Sequence, residues 1–269
     1  SPKLPREPIP LGHSGKREYR SSTQAGDGGV PKGGFSVKRA LVTLLSVFVG
    51  VAIVAGIAVF NSVREAEPPT LKAEPAGTMQ TPQGELPHAT LELAVYPNSS
   101  ASVPPPKTSS NFEANWLSGQ PFYWPSTSIQ VPANSAVTIT FIQYDGGGTI
   151  YNPYFADVHG SMDGTFVVNG ETVTGIKPAD VGHTFTVHDY PESNQPDFFL
   201  SVPLKMNKAN AKTNKDGYPE KPQKIEVTFI TGDPGKYVWN CEFPCGDMYQ
   251  EFGGPMQTRG WMAGTFEVV

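Results

Sequence analysis

The sequence predicts an all-β domain that follows a single membrane-spanning helix. Charged residues make up only 17% of the 269 residues, while Gly (28) and Pro (27) are abundant. Such a composition suits short strands and tight turns better than it suits a bundle of helices. Outside one uncharged apolar run, the chain shows no helical periodicity of useful length, and apolar and polar residues alternate instead. The length leaves room for one globular domain with tails.

One apolar run is long enough to cross a membrane. Residues 40–60 carry no charge, and Thr43 and Ser46 are the only polar side chains among them. A stretch of this length spans a hydrocarbon core of about 30 Å. It is longer than the roughly 7–15 residues of a signal-peptide core. We therefore predict a transmembrane helix over residues 36–62.

The charges on either side of this run predict its orientation. Residues 1–39 carry eight Lys or Arg and three Asp or Glu, a net charge of +5. The whole chain has a net charge of −5, which leaves −10 for the remainder. Basic flanks stay on the cytoplasmic side, so we expect a single-pass protein of the cytoplasmic membrane with its N-terminus inside. The acidic C-terminal part then lies outside, in the periplasm, and its charge argues against binding to nucleic acid.

The soluble parts divide into a tail, a linker and a domain. Residues 1–35 are rich in Gly, Pro, Ser and basic residues and predict a disordered cytoplasmic tail. Residues 63–110 contain repeated prolines, which favour an extended linker, with a short strand at residues 91–96 as its one regular element. The folded domain is expected over residues 111–269.

Strands are predicted from alternation between turn signals. Residues 128–141 read as a strand, a Pro-Ala-Asn-Ser turn and a second strand, in which Val137, Ile139 and Phe141 point inward. The other predicted strands cover residues 165–168, 183–188, 198–202, 225–230, 236–240 and 265–269.

The two cysteines of the chain, Cys241 and Cys245, follow the strand at 236–240, and Met262 opens the last strand. Two thiolates together with a histidine and a thioether form the ligand set of copper electron-transfer sites. A disulfide is the structural alternative for cysteines outside the cytoplasm, although such a short loop gains little from closure.

These motifs resemble the cupredoxin domain of heme-copper oxidase subunit II. The chain contains Cys-Glu-Phe-Pro-Cys, then Met262 followed by Ala-Gly-Thr, and upstream Asp-Val-Gly-His183-Thr-Phe. The resemblance implies a cupredoxin-like Greek-key β-sandwich of seven or eight strands. It also implies that His183, Cys241, Cys245 and Met262 occupy the positions of copper ligands.

The ligand loop departs from the family pattern of Cys-x3-Cys-x3-His-x2-Met. Tyr249 stands four residues after the second cysteine, and Arg259 stands three residues before Met262, so the second histidine is missing. The loop is also about ten residues longer and contains Met256, an additional candidate ligand. Because a binuclear site needs an imidazole for each copper, we expect one copper ion, or none. His159 and His188 are the reserve candidates for a second imidazole.

By resemblance, the chain is an electron-transfer subunit of a respiratory terminal oxidase or supercomplex. Its partners would be the integral subunits of that complex, with cytochrome c or a small copper protein as electron donor. A copper-free structural or assembly subunit, closed by a Cys241–Cys245 disulfide, is the alternative, and copper delivery through Met248, Met256 and Met262 is a third. We predict no catalytic residues, because no phosphate-binding loop, Gly-x-Ser-x-Gly elbow or His-Glu-x2-His motif is present.

Overall fold

The computed structural model describes most of the chain as one helix and one β-domain. The residues that it describes are 37–64, 68–98, 100, 102–103, 119–147, 152–189, 196–243 and 254–269. The predicted tail, residues 1–35, lies outside this set.

The helix α1 covers Val37–Arg64. Within it, Val37–Phe60 is a run of 24 residues that is long and apolar enough to cross a membrane. At 1.5 Å per residue this run is about 36 Å long, which exceeds the thickness of a hydrocarbon core. The hydroxyl group of Thr43 donates a hydrogen bond to the backbone carbonyl of Arg39 at 3.0 Å. This polar side chain therefore has its hydrogen-bond partner within the helix. The predicted apolar helix is confirmed, and it is the one helix of this kind among the described residues.

Thirteen strands are assigned within the described residues. They are β1 (Leu71–Lys72), β2 (Glu74–Thr81), β3 (Gly84–Tyr96), β4 (Phe122–Trp124), β5 (Ser128–Val131), β6 (Ala136–Gln143), β7 (Phe166–Val168), β8 (Glu171–Val173), β9 (Val181–His188), β10 (Leu200–Lys205), β11 (Gln223–Ile230), β12 (Gly235–Asn240) and β13 (Ala263–Val268).

The strands form two sheets of a β-sandwich. Sheet A has the order β1-β5-β13-β12-β9-β10, and sheet B has the order β2-β3-β6-β11-β7-β8, with β4 paired to β3. The pairs β1–β5, β5–β13 and β3–β6 are parallel, and the remaining pairs are antiparallel. Neighbours in each sheet are mostly distant in sequence, which is the pattern of Greek-key connections. The predicted all-β sandwich after an apolar helix is confirmed for the described residues.

Aromatic side chains join the two sheets in one core. Phe141 on β6 of sheet B lies 5.2 Å, between ring centroids, from Phe185 on β9 of sheet A. Phe185 in turn lies 4.7 Å from Trp239 on β12. All three side chains are buried, and each burial contributes roughly 1.5–3 kcal/mol. This packing fixes β9 and β12, the strands that lead to His183 and Cys241.

The structure corrects the predicted linker of residues 63–110. Residues 71–96 form β1, β2 and β3, and β3 pairs with the central strand β6 from His88 opposite Ala136 to Val95 opposite Gln143. Pro82 lies in the β2–β3 turn, and Pro75 lies on an edge strand beside an irregularity in the register. Pro87 lies in β3 just before its pairing with β6 begins at His88. The strand expected at 91–96 is therefore the end of a longer one.

The predicted strand pair at 128–141 is confirmed as β5 and β6, and the later predicted strands are matched by β7 and by β9 to β13. The predicted number of seven or eight strands is too low. The described part of residues 111–269 alone contains ten, and the unpredicted β4 and β8 have only three residues each. Very short strands carry too few alternating residues to be recognised from periodicity.

Gly264 in β13 offers a test of how tightly sheet A is packed. A Cβ atom at this position would overlap the carbonyl oxygen of Thr127, whereas a Cβ at Gly232 in an exposed turn would meet nothing within 4 Å. We expect Gly264→Ala to lower the free energy of unfolding by about 3 kcal/mol, and Gly232→Ala to leave it nearly unchanged. Urea unfolding of the full chain in detergent, followed by tryptophan fluorescence, measures both. Equal stability of the two variants would contradict this packing.

Candidate metal centre

Three predicted ligand residues lie at one end of sheet A. His183 is on β9, Cys241 directly follows β12, and Met262 directly precedes β13, and these three strands are neighbours. The backbone N–H of Cys241 donates to the carbonyl of Met262 at 2.9 Å, so the β12–β13 ladder continues to this point. The exposed fractions of His183, Cys241 and Met262 are 1%, 0% and 0%. The fold therefore brings an imidazole and a thiol together in a dry environment, with the buried Met262 paired through its backbone to Cys241.

The imidazole of His183 faces the sulfur of Cys241. Its Nδ1 atom lies 3.8 Å from the Cys241 Sγ atom. The backbone N–H of Thr184 also donates to this sulfur, at 3.4 Å. A hydrogen bond to sulfur stabilises the thiolate, which is the form of cysteine that binds metals.

The other nitrogen of the same ring is held by Asp145. The Nε2–H group of His183 donates to Asp145 Oδ2 at 2.6 Å. A histidine that binds a metal through one nitrogen usually donates the other N–H to a carboxylate or carbonyl, which fixes the ring orientation. Asp145 thus leaves Nδ1 as the atom available on the Cys241 side.

Burial and hydrogen bonding shift the pKa values of His183 and Asp145 in opposite directions. Burial lowers the pKa of His183, but the hydrogen bonds to Asp145 and Cys241 outweigh it and raise the pKa to about 10. Burial raises the pKa of Asp145, but the hydrogen bond from His183 and those from the backbone of Gly147 and Gly146 bring it below its usual 3.8. In the metal-free protein His183 is therefore an imidazolium at neutral pH. A metal that binds at Nδ1 must displace a proton.

The reserve histidines do not lie at this site. His188 is five residues further along β9, about 16 Å away and on the opposite face of the strand, and its Nε2 lies 2.9 Å from Asn240 Oδ1. His159 stacks on Tyr154 with ring centroids 4.0 Å apart, and its Nε2 lies 2.9 Å from the Tyr154 carbonyl. The second imidazole of a binuclear site is supplied by neither.

Two further predicted ligands stay predictions. Cys245 lies outside the described residues, as does most of the loop around it, so neither its role as a ligand nor a disulfide to Cys241 is tested. Met256 lies in the short 3-10 turn Pro255–Gln257, is half-buried and packs against the main core. This turn is close to Met262, whose backbone N–H donates to the carbonyl of Pro255 at 3.0 Å.

The donor set at this end of sheet A suits copper. Imidazole nitrogen, thiolate and thioether are the ligand types that copper electron-transfer sites combine. The described residues contain no group of three or more His, Cys, Asp and Glu side chains that could hold a metal ion. A site built from the described residues alone would therefore need a further donor of another type, and the thioether of Met262 is the predicted one.

Asp145 is the site residue that sequence reasoning missed. It precedes His183 by 38 residues and sits just beyond the end of β6, where a carboxylate before three glycines looks like an ordinary turn residue. A negative charge four residues after the predicted strand that ends at Phe141 was the one available signal. Only the packing of β6 and β9 in facing sheets shows which histidine it reaches.

Comparison with known proteins gives structural neighbours but no family. No family model and no curated protein matches the chain. Among solved structures, auracyanin B is 16% identical, with 73% of this chain and 98% of that chain covered and a TM-score of 0.30. The copper protein rusticyanin is 14% identical, with 79% and 93% covered and a TM-score of 0.28. A multicopper oxidase is 11% identical, with 68% and 44% covered and a TM-score of 0.22. Such low TM-scores carry no argument about function.

The His183–Asp145 pair predicts how the stability of the metal-free protein depends on pH. The pKa of His183 is raised from 6.5 to about 10 on folding, so its contribution is complete below pH 6.5 and is lost as the pH rises towards 10. The pKa of Asp145 is lowered, so its contribution is lost as the pH falls below 3.8.

We expect thermal unfolding of the metal-free wild type to show falling stability between pH 6.5 and 10. His183→Gln should flatten this decline, because it removes the titrating ring. His159→Gln is the matched control and should follow the wild type. If wild type and His183→Gln had the same pH profile, the interaction would contribute nothing to stability.

Proposed function

We propose that this protein is a membrane-anchored copper domain that transfers electrons outside the cytoplasm. The observation that carries the proposal is the approach of His183 Nδ1 to Cys241 Sγ at 3.8 Å beside the buried Met262. Disulfide formation or simple core packing needs no imidazole turned towards the sulfur. A buried histidine with a carboxylate behind it is, by contrast, the usual arrangement of a metal ligand.

The role of the protein residues follows from their positions. Copper bound by imidazole, thiolate and a weak thioether would supply one-electron chemistry. His183 and Cys241 would provide the strong donors, and Met262 the weak one. The Thr184 N–H supports the thiolate, and Asp145 orients the imidazole. Full burial of the three donors keeps bulk water from them, which limits the solvent rearrangement that accompanies a change of charge.

The number of donors favours one ion over two. A binuclear centre needs two imidazoles, and the reserve histidines His159 and His188 are engaged away from the site. One imidazole with one thiolate and one thioether is enough for a mononuclear site. Cys245 and Met256 are the predicted additional donors.

The setting that we propose is a respiratory terminal oxidase or supercomplex in the cytoplasmic membrane. The helix α1 would anchor the chain, with the basic N-terminus inside and the β-domain in the periplasm. The net charge of −10 after residue 39 would attract a basic donor such as cytochrome c, or a small copper protein. Integral subunits of the complex would receive the electron. Salt should weaken the docking of the donor.

A copper-free structural or assembly subunit is the second candidate function. The observation that favours it is that the described residues place no second imidazole at the site, whereas the family pattern of subunit II uses two. In that case a Cys241–Cys245 disulfide would take the place of the metal. Copper content separates the two functions directly.

Copper loading of the purified full chain in detergent tests the main proposal. We expect one copper ion per chain and a thiolate-to-copper absorption band in the visible range. His183→Ala and Cys241→Ser should each abolish the band, because each removes a strong donor, and His159→Ala should retain it. Colourless wild-type protein with an intact Cys241–Cys245 disulfide would support the scaffold instead. Two copper ions would show that a second imidazole reaches the site.

Protease protection tests the proposed topology. Protease added to intact cells or right-side-out vesicles should remove the β-domain and leave residues 1–39 protected, because the basic flank is retained inside. Antibodies against a tag at each end would report the two fragments. Inverted vesicles are the control, and in them the tail alone should be digested. Digestion of the tail in right-side-out vesicles would overturn the orientation.

A further inference from the structure

His183 is enclosed by chain segments that do not belong to the three ligand strands. Residues 144–147 follow β6 and cover the Nε2 side of the ring, where Asp145 accepts its hydrogen bond. Asn207 follows β10 and lies behind the same segment. We call residues 144–147 together with Asn207 the brace.

Asp145 itself is held in place by several hydrogen bonds. Its backbone N–H donates to the side-chain oxygen of Gln143 at 3.1 Å. Its carbonyl accepts from the backbone N–H of Asn207 at 3.1 Å and from the Asn207 side chain at 3.3 Å. The same side chain donates to the carbonyl of Gln143 at 2.6 Å. The buried side-chain amide of Asn207 therefore connects Gln143, at the end of β6, with Asp145.

Close backbone packing fixes the other end of the segment. Gly147 has a φ of +61°, and a Cβ atom there would overlap the backbone of Gly182, the residue directly before His183. Only glycine suits both the left-handed conformation and this approach. The brace thus contacts the histidine strand at two points, through the backbone at Gly182 and through Asp145 at His183.

We infer that Asp145 is a positioning residue of the copper site, an inference that rests on the function proposed above. The carboxylate is only 16% exposed and has one defined geometry, with Oδ2 at 2.6 Å from Nε2. With Nε2 engaged, the ring presents Nδ1 to Cys241. The carboxylate also places a negative charge directly behind the imidazole. This charge favours the more highly charged, oxidised state of a bound copper ion over the reduced state.

The inference predicts two separable effects of Asp145→Asn. Loss of an orienting partner behind a metal-binding histidine typically weakens metal affinity by about 10–100-fold. Loss of the charge should also weaken the binding of oxidised copper more than the binding of reduced copper. The reduction potential then rises by about 59 mV for each tenfold difference between these two losses of affinity. A residue that only supports the fold would not shift the potential in this direction.

Asn207→Ala tests the effect of Asp145's position separately from the effect of its charge. It removes the side-chain hydrogen bonds to Gln143 and Asp145 but leaves the carboxylate charge in place. We expect a smaller loss of copper affinity and an unchanged reduction potential. Asp233→Asn is the matched charge control. It lies in the exposed turn at the far end of β12, eight residues and about 26 Å from Cys241.

The experiment uses the full chain in detergent. It combines copper titration, redox titration of the visible band, and proton NMR of the metal-free protein. In wild type and Asp233→Asn, the short hydrogen bond should give a strongly downfield His183 Nε2–H signal, and Asp145→Asn should lose it. A wild-type copper affinity and potential in Asp145→Asn would overturn the inference while leaving the copper function intact. Wild-type protein that binds no copper would overturn both.

If Asp145→Asn does not fold, Asn207→Ala and the wild-type NMR spectrum test the inference instead. Absence of the downfield signal from the wild type would exclude the contact on which the inference depends. A raised potential in Asn207→Ala would contradict the assignment of the charge effect to Asp145.

Discussion

The placement of β12 between β9 and β13 is the constraint on which the candidate site depends. Backbone pairing sets Trp239 opposite Val187 and Asn240 opposite Thr186, and this register brings Cys241 beside His183. Because side chains alternate across a strand, a slip of one residue would turn the imidazole to the other face. The aromatic core of Phe141, Phe185 and Trp239 resists such a slip, since all three rings would lose their packing. The stability of the sandwich and the geometry of the donors therefore have the same origin.

Burial of His183 raises a second requirement, because a buried imidazole needs partners for both of its nitrogens. Asp145 satisfies Nε2, and Nδ1 faces the sulfur of Cys241. The metal-free protein meets this requirement by placing a proton on the imidazole, which the nearby negative charge stabilises. A metal ion would take the place of that proton. The same carboxylate therefore serves the metal-free fold and would serve the metal site.

The copper proposal and the scaffold alternative differ in what they ask of the ligand loop. A mononuclear copper site can be completed by soft donors from that loop, and Cys245 and Met256 are the predicted ones. A scaffold needs only that the loop be closed. The buried His183, Cys241 and Met262 offer three donor side chains that a copper site would use and that a scaffold does not require. The ion pair of His183 with Asp145 stabilises the metal-free fold in either case. Only a metal site would also use the imidazole nitrogen that this pair turns towards Cys241.

Much of the architecture was determined by the sequence alone, because helices and buried strands require apolar residues in characteristic local patterns. The uncharged run at 40–60 predicts α1, and the alternation of Val137, Ile139 and Phe141 predicts β6. The ligand motifs predict that His183, Cys241 and Met262 meet. Tertiary structure alone decided the rest, since strand pairing depends on residues far apart in the chain. Tertiary structure placed residues 71–96, with their prolines, in strands of the sandwich, where edge and turn positions tolerate proline. It also brought Asp145 to His183 across 38 residues, a contact between two sheets that no local pattern records.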